Sequence, residues 1–171
     1  GGTISFSTYA AKGLYMPDGM ASYEAGGRTL VVMANEGDYR EDDVDRMNAS
    51  ASNIGASGDL IGLRVSNADS SVGNLVAAGA RSFSIRDADG NMVYDSGSIL
   101  DREAALRGIY DDDRSRDKGV EPEGVELMVI GGKTFAFIGL ERTTKGAVVI
   151  FDITTPENAS FIDMIVTDGD L

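Results

Sequence analysis

The chain has 171 residues, 42% of them hydrophobic, and a formal charge of −13 from 28 acidic against 15 basic side chains. That size and apolar content suit a folded domain with a sizeable core, and the charge argues against sequence-independent nucleic-acid binding, which needs Lys and Arg on the phosphates. With no Cys and no His, disulfides, thiolate zinc sites, cysteine nucleophiles and the usual imidazole base are all excluded, so any metal would be held by oxygen and calcium is the first candidate.

In chain order, short runs rich in Val, Ile, Phe, Tyr and Thr alternate with Gly, Asn and Asp clusters, the punctuation of an all-β protein. Strands are predicted at Thr3–Ser7, Gly19–Glu24, Thr29–Ala34, Leu60–Val65, Arg81–Arg86, Met92–Asp95, Val125–Val129, Thr134–Leu140, Ala147–Asp152 and Phe161–Val166. Gly26-Gly27, Asp89-Gly90 and Gly131-Gly132 read as hairpin turns, because they supply the positive φ that tight connections need. Acidic loops are predicted near 38–58 and 101–120, with a short helix at Asp101–Arg107 capped by Asp101. No apolar run approaches the roughly 18 residues of a membrane span, so no transmembrane segment is expected in this chain.

The strongest signal is an internal repeat, copies near 16–36 and 121–141 aligned without a gap at an offset of 105. Met-Pro-Asp-Gly at 16–19 falls on Glu-Pro-Glu-Gly at 121–124, Gly26-Gly27-Arg28-Thr29 on Gly131-Gly132-Lys133-Thr134, and Glu36 on Glu141. A repeated β-hairpin needs a neighbour to bury its faces, which implies a radial or stacked architecture. The offset exceeds the 40–50 residues or so of one propeller blade, and ten strands fill two to three four-stranded blades, fewer than the usual minimum of about four. The fold expected over 1–171 is therefore a segment of antiparallel β-propeller blades in an incomplete ring.

Six motifs carry a family resemblance. They are Gly-Leu-Tyr-Met-Pro-Asp-Gly (13–19), Ala-Asn-Glu-Gly-Asp-Tyr-Arg (34–40), Ala-Arg-Ser-Phe-Ser-Ile (80–85), Asp-Lys-Gly-Val-Glu-Pro-Glu-Gly-Val (117–125), Phe-Ile-Gly-Leu-Glu-Arg (137–142) and Val-Ile-Phe-Asp-Ile-Thr (149–154). In this order they resemble the choice-of-anchor I family, large secreted or surface-anchored β-propellers similar to mesenchyme-specific cell-surface glycoproteins, some labelled alkaline phosphatase or phytase-like. The resemblance implies an extracellular or cell-surface location, and remaining blades supplied by the same polypeptide or by a partner chain, with surface or matrix partners.

Asp18, Glu36, Asp38, Glu123 and Glu141 occupy equivalent or adjacent positions of the two copies. In a propeller such acids converge on the central channel, where their oxygens would suit calcium; alternatively they bond turn amides or pair with nearby arginines such as Arg40 and Arg142. Arg40 and Arg142, with Arg114 and Arg116, are also the cations a phosphate would need beside metal-holding acids. Two functions stay open on these residues: a structural or adhesion module, and a metal-dependent phosphoesterase. Asp87-Ala-Asp89-Gly90 reads better as a turn than as a calcium loop, since position 98 is Ser where a downstream Glu ligand would stand. Asp111–Asp113 with Asp117 reads as a solvated acidic loop.

Overall fold

The computed structural model describes residues 3–40 and 42–168; Glu41 in the expected 38–58 loop, and both ends of the expected 1–171 segment, lie outside them. The elements run β1 (Ala11–Leu14), β2 (Met20–Ala25), β3 (Arg28–Ala34), α1 (Asp42–Asp45), β4 (Arg46–Asn48), α2 (Ala51–Ile54), β5 (Arg64–Ser66), β6 (Leu75–Ala78), β7 (Phe83–Asp87) and β8 (Met92–Asp95). They continue through α3 (Ile99–Leu106), β9 (Pro122–Ile130), β10 (Lys133–Leu140), β11 (Ala147–Asp152) and β12 (Ser160–Val166).

The strands form three four-stranded sheets: a first blade in the order β2-β3-β7-β8, a second in the order β9-β10-β11-β12, and a third sheet in the order β1-β6-β5-β4. The chain is all-β, with its sheets arranged as part of a propeller. Every pairing is antiparallel except β1 with β6, which is parallel. That parallel pair is closed across the whole first hairpin, since β1 precedes it and β6 follows it.

The repeat copies are the opening hairpins of the two blades, β2-β3 and β9-β10. Their turns match in backbone as well as in sequence: Gly26 and Gly27 have φ of 59° and 74°, Gly131 and Gly132 of 58° and 79°. No atom lies within 4 Å of where a Cβ would stand at these four positions, so conformation, not space, requires glycine there. Met16 and Glu121, also equivalent, have φ of 41° and 49°. Both precede a proline, a place where extended backbone is the norm, so each copy holds an uncommon conformation at the same point. The offset of 105 has a topological cause. After β3 the chain leaves the first blade to build β4, β5 and β6 of the third sheet, and only then returns to add β7 and β8.

The two blades pack face to face. Leu30, Val32, Phe83 and Ile85 of the first meet Ala136, Ile138, Val149 and Phe151 of the second in one core, all of them fully buried. The Phe83 and Phe151 rings sit edge to face with centroids 4.7 Å apart. Leu100 and Ala104 of α3 complete this core. A smaller core of Ala49, Ile54, Ala56, Val65 and Leu75 serves the third sheet.

Nine predicted strands have counterparts here in β2, β3, β5 and β7–β12, with the run at 60–65 shrinking to Arg64–Ser66. Thr3–Ser7 pairs with no strand, and β1, β4 and β6 come instead from Ala-Lys-Gly-Leu, Arg-Met-Asn and Leu-Val-Ala-Ala, too short and too poor in β-branched residues to announce themselves. The helix starts two residues earlier than predicted, with Ser98 at its N-cap. Asp101 does not cap it: it lies inside the helix, 2% exposed, where its carboxylate accepts from the Val120 amide at 3.2 Å and faces Arg81 at 3.4 Å. Burial pushes the Asp101 carboxyl up, and Arg81 and the Val120 amide pull it partly back.

Candidate functional site

The two copies abut one another. The Gly19 amide donates to the Glu123 carbonyl at 2.8 Å, joining the Pro-acid-Gly turn of one copy to that of the other. A Cβ at Gly19 would lie 2.3 Å from that carbonyl oxygen, so the contact demands glycine. The turn is held to its own blade by reciprocal bonds, Asp18 N–H to Ala34 C=O at 3.0 Å and Ala34 N–H to Gly19 C=O at 2.9 Å. In the second copy the Glu141 amide donates to the Glu121 carbonyl at 2.9 Å, which ties the end of β10 to the approach to β9.

This junction carries a cavity of about 410 Å³. Six carboxylates line it, from Asp18, Glu36, Asp38, Glu121, Glu123 and Glu141, together with four cations, Arg46, Arg114, Lys118 and Arg142, leaving two formal negative charges in excess. The acids singled out by the repeat, Asp18, Glu36, Asp38, Glu123 and Glu141, thus share one cavity with Arg142. Arg40 does not line it; it is exposed and forms no ion pair among the described residues, Glu36 included. Arg116 lies apart, in a larger cavity of about 850 Å³ beside the N-terminal segment and the third sheet.

At the cavity's inner end stands Lys118, only 3% exposed. Its Nζ lies 2.7 Å from Glu121 Oε2, 2.7 Å from Asp38 Oδ1 and 3.7 Å from Glu36 Oε1. One ammonium therefore joins the loop after β3 to the residue that opens the second copy. Glu121, 1% exposed, gives its other oxygen to Arg114. Arg46 on β4 pairs with Asp117 at 3.0 Å, which brings the third sheet to the same network. Buried carboxylates and cations are tolerated only when paired in this way.

Away from Lys118 the acids are less well matched. Carboxylate oxygens of Glu36, Glu121 and Glu141 lie within 4.8 Å of one another. Burial pushes the Glu36 carboxyl up; Lys118 pulls it down, while Asp38, Glu141 and Asp18 push it up again by repulsion. Glu141 pairs with the half-exposed Arg142 at 2.8 Å, and no cation stands within 4 Å of the Asp18 or Glu123 carboxylate among the described residues. The donor set is all oxygen, the type that suits calcium or magnesium.

Sequence reasoning missed Lys118 and Glu121, treating 101–120 as a loop in solvent. Instead the stretch folds inward, leaving Asp117, Lys118 and Glu121 buried. Its acids take separate duties: Asp111 accepts from the Asp113 amide, Asp112 accepts from the Ser115 hydroxyl, and Asp117 meets Arg46 and Arg114. The one available hint was that Asp-Lys-Gly-Val-Glu at 117–121 stands directly before the second copy's proline. The Asp87 turn, in contrast, is a turn: its carboxylate accepts from the Asn91 and Asp89 amides at 2.8 and 3.0 Å, and these bonds, with that from the Asn91 side chain, hold it below the usual carboxylate range.

No helix among the described residues is long and apolar enough to cross a membrane. No curated protein and no solved structure matches the chain. The sequence model of the choice-of-anchor I domain matches residues 1–156, and with nine-tenths of its length covered the chain belongs to the choice-of-anchor I family.

Proposed function

We propose that this chain is a non-catalytic structural or adhesion module of the cell surface or extracellular space, whose axial acidic cavity takes calcium. Family membership supports a surface-associated module. The carrying observation is Lys118: a buried ammonium already fills the inner end of the cavity and clamps the two repeat copies together, which is the arrangement of a structural lock. The cavity lining as a whole, six carboxylates against four cations, keeps a surplus of two negative charges, which one calcium ion held by Asp18, Glu36, Glu123 and Glu141 would neutralise. Calcium there would screen the repulsion that Glu36 feels from Asp18 and Glu141 and tie both copies from the open side.

The competing reading is a metal-dependent phosphoesterase, favoured by Arg142 and Arg114 standing in the same cavity as the acids. Such an enzyme needs an open metal position and a water poised for attack. Release of p-nitrophenol from p-nitrophenyl phosphate separates the two. The structural reading expects no release above background with calcium or with EDTA. Calcium-dependent release that disappears in Glu141→Gln would sink it.

A further inference from the structure

The cavity of about 850 Å³ beside the N-terminal segment shares no lining residue with the acidic cavity, and its size lies within the roughly 300–1,000 Å³ of small-ligand sites. Four aspartates and four cations line it, yet they are not matched to one another. Arg81 meets Asp101 at 3.4 Å and also donates to the Ser115 and Asp117 carbonyls. The other three aspartates are engaged as acceptors elsewhere. Asp59 accepts from the Tyr9 hydroxyl at 3.1 Å, Asp95 from the Ser82 hydroxyl and the Gly97 amide, and Asp112 from the Ser115 hydroxyl at 2.8 Å. The other three cations have no carboxylate within 4 Å among the described residues. Lys12 donates to the neutral Asn74 side chain at 2.9 Å and Arg102 to the Ser98 hydroxyl at 2.8 Å, while Arg116 has no side-chain partner among those residues.

Aromatic rings stand among these charges. Phe6 and Tyr9 of the segment before β1 line the cavity with Tyr15 and Tyr110; the Phe6 ring is fixed by Arg102 over its face at 4.8 Å and by Tyr110 edge-on at 6.0 Å. Arg81, on the same wall, holds a φ of 58°, uncommon outside glycine and the kind of strain that gathers at ligand sites. We infer that this cavity binds an acidic saccharide, a short chain carrying uronic acid units. Three open cations in a chain of −13 offer donors to a carboxylate, which arginine binds with two parallel bonds. The aspartates are acceptors for sugar hydroxyls, and aromatic faces attract the polarised C–H groups of a pyranose ring. With four acids against four cations the lining is formally neutral, so a multiply charged anion such as phosphate meets as much repulsion as attraction.

The test is isothermal titration calorimetry of the chain with trigalacturonate, in EDTA so that calcium cannot bridge the sugar to the acidic cavity. The chain should bind it, and the affinity should fall about tenfold in Arg116→Gln and again in Tyr9→Ala. Both side chains are exposed, and Arg116 has no partner to lose among the described residues, so circular dichroism should match the parent. Arg40→Gln, exposed and outside the cavity, should bind as the parent does. Maltotriose, of similar size without carboxylates, and inorganic phosphate should each bind at least about tenfold more weakly. No binding of trigalacturonate, equal affinity for maltotriose or phosphate, or an affinity unchanged in both folded variants would overturn the inference. None of these outcomes depends on whether the acidic cavity takes calcium.

Discussion

Replacing Lys118 with Met removes the ammonium but keeps a side chain of similar length in a site that is 3% exposed. Glu121, 1% exposed, then loses a partner at 2.7 Å and, among the described residues, keeps Arg114 as its ion-pair partner; Asp38 and Glu36 lose the cation that offsets their mutual repulsion. Removing one member of a buried pair costs about 3–5 kcal/mol, because the charge left behind has no water to return to. For a chain of this size each kcal/mol moves the melting temperature by about 2–4 °C, so the midpoint should fall by about 6–20 °C. Glu121→Gln added to Lys118→Met should recover part of that loss, since the stranded carboxylate is gone, whereas Asp38→Asn, at an exposed rim position, should matter far less. Differential scanning calorimetry at neutral pH reads all three. A Lys118→Met midpoint within about 2 °C of the parent would refute the lock.

Three further outcomes follow. Gly19 and Gly124 are equivalent in the repeat, yet a Cβ at Gly19 would strike the Glu123 carbonyl at 2.3 Å while nothing lies within 4 Å at Gly124; Gly19→Ala should lose about 1–3 kcal/mol in urea unfolding and Gly124→Ala none. Phe151→Ala, at the contact of the two blades, should cost about 3–5 kcal/mol by the same assay. Asp152 is held down at about 2 by hydrogen bonds from Thr154 and Lys133. A folded-state pKa below the unfolded one means stability that is present above the unfolded value of 3.8 and lost as pH falls towards 2. Melts of Asp152→Asn and parent should therefore differ at pH 7 and converge at pH 2. Asp101 and Glu36 have the opposite sign: their carboxyls are raised by burial, so stability present below their unfolded values of 3.8 and 4.5 is lost as pH rises through the folded ones.

Local chemistry made much of the fold legible. Gly26-Gly27 and Gly131-Gly132 mark their hairpins because positive φ at two successive residues leaves little choice but glycine. Met92–Asp95 and Ala147–Asp152 are β8 and β11 to the residue, each bounded by turn residues. The third sheet was not legible because its strands are three or four residues long and are held by partners far away in sequence, as in the parallel pairing of Ala11–Leu14 with Leu75–Ala78. The acids that line the cavity between the two copies stood out in the sequence through symmetry, since Asp18/Glu123 and Glu36/Glu141 sit at equivalent places in the two copies. Lys118 breaks that symmetry, as the first copy has no counterpart to it, and its burial comes from the inward fold of 112–121. Arg40 shows the converse: proximity to Glu36 in sequence did not bring it to the cavity.

The central claim is that the axial cavity is a structural cation site, and calcium-dependent thermal unfolding tests it most directly. The EDTA-stripped chain should melt at higher temperature as calcium is added, saturating with a rise of several degrees, and Glu141→Gln/Glu123→Gln should abolish the response while leaving a cooperative transition. An identical midpoint with saturating calcium and with EDTA in the parent chain would contradict the account.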